Sequence, residues 1–546
     1  MKRTVLPVLI LALALCLALA GCGGAGGNYS TGGTPGAGGQ EGSGSAAEGS
    51  AVISYSMANV PLVDPGTASD EAATTYLCNV YDPLVFPTHE GGIEPWVATE
   101  WSCTEDGLTW TFKLRDDIKF HNGDPLTAED VAFSMQRLLD LGEGFAYLFS
   151  DYVTSVSAPD DSTVVFTLSQ PFATFDSALV RLYIVKKNQI MANLADGSFG
   201  ENGDYAVNWL LAADAGSGPY KFEELAANQY VYGVKFDDYW GGWDKDAPAG
   251  FKIYGTTEAV TIRTMMSRHE LEISDGYQTL EALNALDGLD QVDITAFSSA
   301  GITYLSQNNQ KAPTDDVHFR KALAHLIDYS TIVEALYPNC KVATNIISEA
   351  LPGYEAGVFN YEYSLEQAEE ELKQSQYNND LASYPVEVVW NPENVEREQF
   401  FLVFQTACAQ LGIKVNITQK TWIQVMEDAA SPETTPNCFL IWTCPSYPDA
   451  GSILKTQYTI HDVGTWETMD WVNDPEIDAE IKEAVITLDE TARIAMYQDI
   501  IRKLVDNCVT IPVVEMYESH AYQTGYFYWD VADRASQGQP VTGVMG

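Results

Sequence analysis

Apolar residues along this chain recur with two periods. Ile53, Tyr55 and Met57 alternate with serines, Trp110, Phe112 and Leu114 alternate with polar residues, and Val164, Phe166 and Leu168 do the same. A period of two predicts strands with one buried face. Val386, Val388 and Trp390 repeat the pattern, as do Ile413, Val415 and Ile417, and Thr510 to Val514 reads as a late strand. Between these runs the spacing turns helical. From Thr127 to Leu139, Val131, Met135, Leu138 and Leu139 fall on one face, and Thr127 with Asp130 forms the pattern of a capping box. Phe319, Leu323, Leu326 and Ile327 make a second stripe, which leaves Arg320 and Lys321 on another face, solvated or paired. Ser364 and Gln367 cap a further helix, Gln399 to Leu411 stops at Gly412, Asp474-Pro475 opens another, and Thr491 to Val505 makes the last. Strands and helices interleave, so the chain is α/β, and the segment after the first fifty residues is long enough for two or three lobes.

The first fifty residues obey other rules. Lys2 and Arg3 precede an apolar stretch from Val5 to Ala20, too short and wrongly flanked for an ordinary membrane span. It ends in Leu19-Ala20-Gly21-Cys22, which resembles a bacterial lipobox. That resemblance implies a signal peptide over residues 1–22 and a lipid on Cys22, anchoring the protein to the outer side of the cell membrane. Residues 23–50 are almost all Gly, Ser, Ala, Thr and Glu, with no apolar period, and read as a flexible tether.

The formal charge of −47 excludes a nucleic-acid partner and suits a soluble body held off an anionic membrane. It is also compatible with drawing in cationic ligands. Beyond Cys16 and Cys22, the cysteines are Cys78, Cys103, Cys340, Cys408, Cys438, Cys444 and Cys508, with no C-x-x-C pair or zinc spacing. Cys438 and Cys444 are near enough for a local bridge; buried thiols are the other reading.

Four stretches carry a more specific signal. Gly91 to Leu139 contains Gly-Gly-Ile-Glu-Pro-Trp, then Asp-Gly-Leu-Thr-Trp-Thr-Phe-Lys-Leu-Arg and Phe-His-Asn-Gly-Asp-Pro-Leu-Thr-Ala-Glu-Asp-Val. Gly216-Ser217-Gly218-Pro219-Tyr220-Lys221-Phe222 comes next, then Phe236-Asp237-Asp238-Tyr239-Trp240-Gly241-Gly242, then Gln307 to Asp328. In this order they resemble the extracellular solute-binding proteins of peptide and nickel ABC importers, family 5. The resemblance implies a two-lobed periplasmic-binding-protein fold with a hinge and an additional domain beside the first lobe. Lobe I would be residues 51–90, 216–302 and 511–546, the additional domain 91–215, and lobe II 303–510. It also implies a monomer without cofactor or metal, which takes an oligopeptide or peptide-like solute between closing lobes. The solute would then pass to membrane permease subunits driven by cytoplasmic ATPases. His121 and Asp124 fall in a turn of the signature and are read as structural.

In peptide-binding relatives an aspartate of the second lobe grips the ligand's free amine. The corresponding stretch here is Trp442-Thr443-Cys444-Pro445-Ser446-Tyr447-Pro448-Asp449, so the acid falls on Ser446. A serine offers no charge, and about 1–2 kcal/mol of charge-assisted contact is lost. Three readings stay open: Asp449 grips instead, the ligand lacks a free amine, or the ligand is not a peptide. Candidate ligand-binding residues are Trp442, Ser446, Tyr447 and Asp449, with Trp422 and Trp390 as aromatic walls and Tyr304 and Asn308 near the lobe crossing. Each tryptophan can equally pack the lobe, and Asn308 can fix a turn. A hydrolase is disfavoured, because there is no G-x-S-x-G or H-E-x-x-H and the seven histidines are scattered. A surface receptor or adhesin on the same fold, an oligosaccharide binder and a nickel-chelate binder remain as alternatives; the histidine nearest the Trp442 loop is His461.

Overall fold

The computed structural model describes residues 51–89, 91–392, 394–461, 464–525 and 529–537. The expected signal, lipid site at Cys22 and tether lie outside these residues. Among the described residues no helix is long and apolar enough to cross a membrane.

Three main sheets organise the chain. The first runs Val52–Met57, Gly250–Gly255, Tyr230–Lys235, Tyr220–Ala226, with Val52–Met57 parallel to its neighbour and the rest antiparallel. The second has six strands in the order Lys341–Val342, Thr510–Gln523, Val292–Gln307, Cys438–Thr443, Val386–Trp390, Val415–Gln419. The third is an antiparallel sheet of Ala98–Cys103, Thr109–Leu114, Thr163–Leu168 and Val153–Asp160.

The predicted strands appear where the alternation places them. The helix over Ala128–Leu141 starts at its expected cap, where Asp130 accepts from the backbone and hydroxyl of Thr127 at 3.0 Å each. His121 is committed to structure, its ring nitrogens meeting Asp214 at 2.5 Å and the Gly218 carbonyl at 2.9 Å. At Gly216 a Cβ would stand 2.0 Å from the Val80 carbonyl oxygen, so the chain crossing there tolerates no side chain. Arg320 is buried, contrary to the solvated alternative. Its guanidinium donates to the carbonyls of Cys508, Thr314 and Asn507 at 3.0, 2.9 and 2.8 Å, a full set of acceptors for a desolvated cation.

The late strand is much longer than Thr510 to Val514. It runs Thr510–Gln523 and pairs antiparallel with the slightly longer Val292–Gln307. The register holds from Val292↔Gln523 to Ser298↔Tyr517, breaks, and resumes at Ile302↔Glu515. Ala300 takes a left-handed backbone, φ 56°, within the break. Such a bulge bends a strand pair and re-aims the residues beyond it. One end of the pair joins the six-stranded sheet. At the other end Ile273 bridges Tyr522 to Tyr55 and so ties the pair to the first sheet. Two large apolar cores flank the crossing. One surrounds the six-stranded sheet, and the other joins the first and third sheets.

Candidate functional site

A cavity of about 360 Å³ lies at this crossing. Its walls come from segments remote in sequence: Glu71, Tyr277 and Gln278, Arg397, Trp442, and Glu518 from the long return strand. Glu71 opens the helix Glu71–Val80, which Asp70 caps by accepting from Ala73 N at 2.7 Å. The Tyr277 hydroxyl donates to the Glu71 carboxylate. Gln278 donates its side-chain nitrogen to the Thr257 carbonyl at 3.0 Å and to Asp275 at 2.8 Å, while its buried Oε1 has no partner.

The electrostatics are set by crowded carboxylates. Burial, and then the charge of Glu518, push the Glu71 carboxyl up to about 7, against the Tyr277 hydrogen bond that lowers it. Burial also raises Asp275, which accepts from Ser56 Oγ, Tyr277 N and Gln278. His520, 1% exposed, donates from Nδ1 to the Ser274 carbonyl at 2.8 Å and turns Nε2 toward Glu518, 3.4 Å away. Burial alone would lower the imidazole, but the neighbouring Glu518 overrides it and the net shift is upward. Arg397, also a lining residue and buried, donates to Asn391 Oδ1 at 2.5 Å and lies over the Phe439 ring. The cavity is thus lined by the acidic residues Glu71, Glu281, Glu396 and Glu518 and by Arg397. Among the described residues no group of three or more side chains could hold a metal ion.

Of the sequence-predicted residues, Trp442 lines this cavity. It pairs with Thr303 in the sheet, and its indole packs so closely on Gly301 that a Cβ there would stand 2.2 Å from Nε1. Tyr277 meets it edge-on, ring centroids 6.1 Å apart. The others are placed elsewhere. Trp390 ends its strand inside the core of the six-stranded sheet, and Trp422 packs beside Trp466 on the Val425–Phe439 cluster. Tyr304 donates to the Ile346 carbonyl at 2.7 Å from a buried position. Asn308 fixes a turn, donating to the Pro432 carbonyl and accepting from Gln310 N. Asp449 caps the helix Ala450–Tyr458 and accepts from Gly451 N at 2.7 Å and the Tyr497 hydroxyl at 2.8 Å. Burial raises its carboxyl, and every oxygen contact named here is internal.

Ser446 and Tyr447 form a contact between cores. Tyr147 meets Ser446 Oγ at 2.8 Å, and Arg181 Nε donates to the Ser446 carbonyl at 2.7 Å. Tyr447, buried, packs edge-on against Phe172 in the core shared by the first and third sheets. The seven cysteines of the described residues are free thiols, Cys438 and Cys444 among them.

Sequence reasoning missed Glu71, Tyr277, Gln278, Arg397 and Glu518. The one available signal was Glu515-Met516-Tyr517-Glu518-Ser519-His520, a polar run within a central strand, where acids belong only at a site or a pair.

Residues 92–464 match "Bacterial extracellular solute-binding proteins, family 5 Middle". The chain is 28% identical over 459 residues to the probable D,D-dipeptide-binding periplasmic protein of Escherichia coli, covering 82% of this chain and 85% of that one. It is 26% identical to the nickel-binding periplasmic protein of the same organism, covering 80% and 83%. Among solved structures, the periplasmic binding protein DppA of Helicobacter pylori in complex with peptide STSA superposes with a TM-score of 0.73 at 22% identity, over 87% of this chain and 94% of that one. The fold is accordingly the two-lobed periplasmic-binding-protein fold. The chain belongs to the bacterial extracellular solute-binding proteins of family 5.

Proposed function

We propose that this chain is the substrate-binding lipoprotein of an ABC importer, which captures a peptide or peptide-like solute in the cavity at the lobe crossing and delivers it to a membrane permease. The observation that carries this reading is the composition of the cavity wall. The helix Glu71–Val80, the segment around Tyr277, the residues near Arg397, and Trp442 and Glu518 of the six-stranded sheet converge on one space lined by both acidic and basic side chains. A solute that touches both lobes stabilises the closed form by its differential affinity, so capture and closure are one equilibrium. A zwitterionic peptide suits a cavity lined by both carboxylates and a guanidinium. The relatives whose names state dipeptide and nickel binding support solute capture over turnover, and we read the chain as a non-enzymatic binder.

In this reading lobe I comprises residues 51–90, 216–302 and 511–546, the additional domain 91–215 and lobe II 303–510, with the strand pair crossing between lobes. Cys22 carries the lipid, residues 23–50 form the tether, and the protein works as a monomer on the outer face of the membrane. The test is uptake. Deleting the gene should abolish import of the solute that the purified protein retains. A deletion that leaves import of that solute intact favours the receptor or adhesin alternative.

A further inference from the structure

The loop that follows the strand Cys438–Thr443 leaves the core of its own sheet and enters the other large core. Tyr447 is 3% exposed, and its ring lies in the core shared by the first and third sheets, edge-on to Phe172 with centroids 6.0 Å apart. Beside it, Ser446 is held by two side chains of that same body. Arg181 Nε donates to its carbonyl at 2.7 Å, and the Tyr147 hydroxyl meets its Oγ at 2.8 Å. Arg181 is buried and braced for this contact, with its guanidinium over the Phe145 ring and Nη1 3.4 Å from the Thr74 hydroxyl. A buried tyrosine and a buried arginine at the centre of a contact are the side chains that carry most of an interface's energy.

The rim of the contact repeats the join. The Ala173 amide donates to the Val485 carbonyl at 3.0 Å, and a Cβ at Gly107 would stand 3.3 Å from Leu488 Cδ2. Lys455 lies 3.7 Å from the Asp151 carboxylate and 4.3 Å from the centre of the Tyr152 ring. The loop is also mounted firmly on its own side. The Ser446 amide donates to Ser452 Oγ at 2.9 Å, and the Asp449 amide to the Tyr447 carbonyl at 2.7 Å. The Asp449 carboxylate, bonded to Gly451 N and the Tyr497 hydroxyl, fixes the loop's far end. Among the described residues that line the cavity, Tyr147, Arg181, Ser446 and Tyr447 do not appear. The contact therefore stabilises the joined arrangement whether or not the cavity is filled.

We propose that the loop 444–449 is a latch: Tyr447 and Ser446 hold the body of the six-stranded sheet against that of the third sheet by themselves, so that the lobes rest closed without solute. This rests on the reading of two lobes that close over a solute, and not on which solute they take. A closed form that is already populated spends less of the solute's affinity on reaching it. Entry and release then pass through a minority form in which Tyr447 has left its seat, so opening of the latch limits how fast a captured solute can leave. The loop in which relatives carry a ligand-gripping acid serves here to set the balance between open and closed.

The test needs no solute. The full chain is purified in detergent, unfolded and refolded by dialysis to strip bound small molecules, and read by hydrogen exchange of its peptides. The reporter is the segment 171–176, whose Ala173 amide is bonded across the contact. It should be protected in the solute-free wild type. Tyr447→Ala should speed exchange in 171–176 and in 444–449 alike, about tenfold or more, with the sheet cores at 109–114 and 510–514 unchanged. Tyr147→Phe, which removes one hydroxyl from an exposed position, should speed the same two segments about two- to tenfold. Acceleration confined to 444–449 would overturn the latch, because something else would then hold the two bodies together. A solute-free wild type that exchanges at 171–176 as fast as Tyr447→Ala would also overturn it, since closure would then need a solute. Either result leaves solute capture standing. If Tyr447→Ala fails to refold or exchanges everywhere alike, Tyr147→Phe decides, and no change at 171–176 in that variant overturns the latch.

Discussion

Gly301→Ala reaches the cavity wall at Trp442 and the bulge of the long strand pair in one methyl group. The new Cβ would lie 2.2 Å from Trp442 Nε1, 2.7 Å from Cys444 Sγ and 3.0 Å from the Thr443 carbonyl oxygen. Ordinary contact begins near 3.4 Å, so the indole must retreat by more than an ångström. Its backbone cannot follow, because the strand Cys438–Thr443 is laddered to Val292–Gln307 from Cys438↔Gln307 to Thr443↔Ile302. The ring must swing into the cavity it lines, or the bulge at Ser298–Ile302 must open. Over-packing of this kind costs about 1–3 kcal/mol. Spent on the closed form, that is a loss of about 5- to 150-fold in solute affinity. The assay is a double-mutant cycle with Trp442→Ala, read by thermal unfolding and by titration with the retained solute. Trimming the indole removes the shorter clash, so most of the penalty of Gly301→Ala should vanish in the Trp442→Ala background. An equal penalty in both backgrounds, or none in either, would mean that the indole is not what the added methyl group meets.

Ser446→Asp should not strengthen binding of free-amine peptides, because Arg181 will take the new carboxylate as an internal ion pair; a clear gain in affinity by calorimetry would contradict this. Asp64→Asn should destabilise the fold by about 3–5 kcal/mol in urea unfolding, since Asp64 meets both Arg137 terminal nitrogens, at 2.7 and 2.6 Å, in a site where neither residue is exposed, and the buried cation would be left without its counter-charge. Glu71, Glu467, Asp470 and Glu515 are each raised to about 7, chiefly by burial. Between the ordinary carboxyl range and about 7 the folded state therefore holds more protons than the unfolded chain, so these groups make stability fall as pH rises through that window. Urea midpoints at either end of it should show the protein more stable on the acid side, and the opposite slope would mean that these carboxyls are not raised.

What the sequence made legible is what is local. Alternation at Trp110–Leu114 and Val164–Leu168, the cap at Thr127 and the stop at Gly412 depend on near neighbours, and each matches the structure. Asp449 was equally legible as a helix cap, because it stands directly before Ala450–Tyr458 and caps are built from such acids. The long strands were foreshortened because their alternation is interrupted at Ser298–Gly301 and because Glu515 to His520 reads as polar, although these residues are mostly buried. The cavity could not be read at all. Its walls come from positions as distant as 71 and 518, and nothing local to Glu71 distinguishes it from any acid in a helix's first turn. Trp442 was found because it neighbours a family loop, and the loop itself serves as a contact between cores.

Whether the cavity beside Trp442 holds a peptide-like solute is decided by what the protein carries. Native purification followed by denaturation releases the bound small molecules for mass spectrometry. A peptide or peptide-like molecule with a free amine should appear, near one per chain in the wild type and depleted in Glu71→Gln. Release of a solute that is not peptide-like, at the same level from both proteins, would contradict the capture of peptides in this cavity.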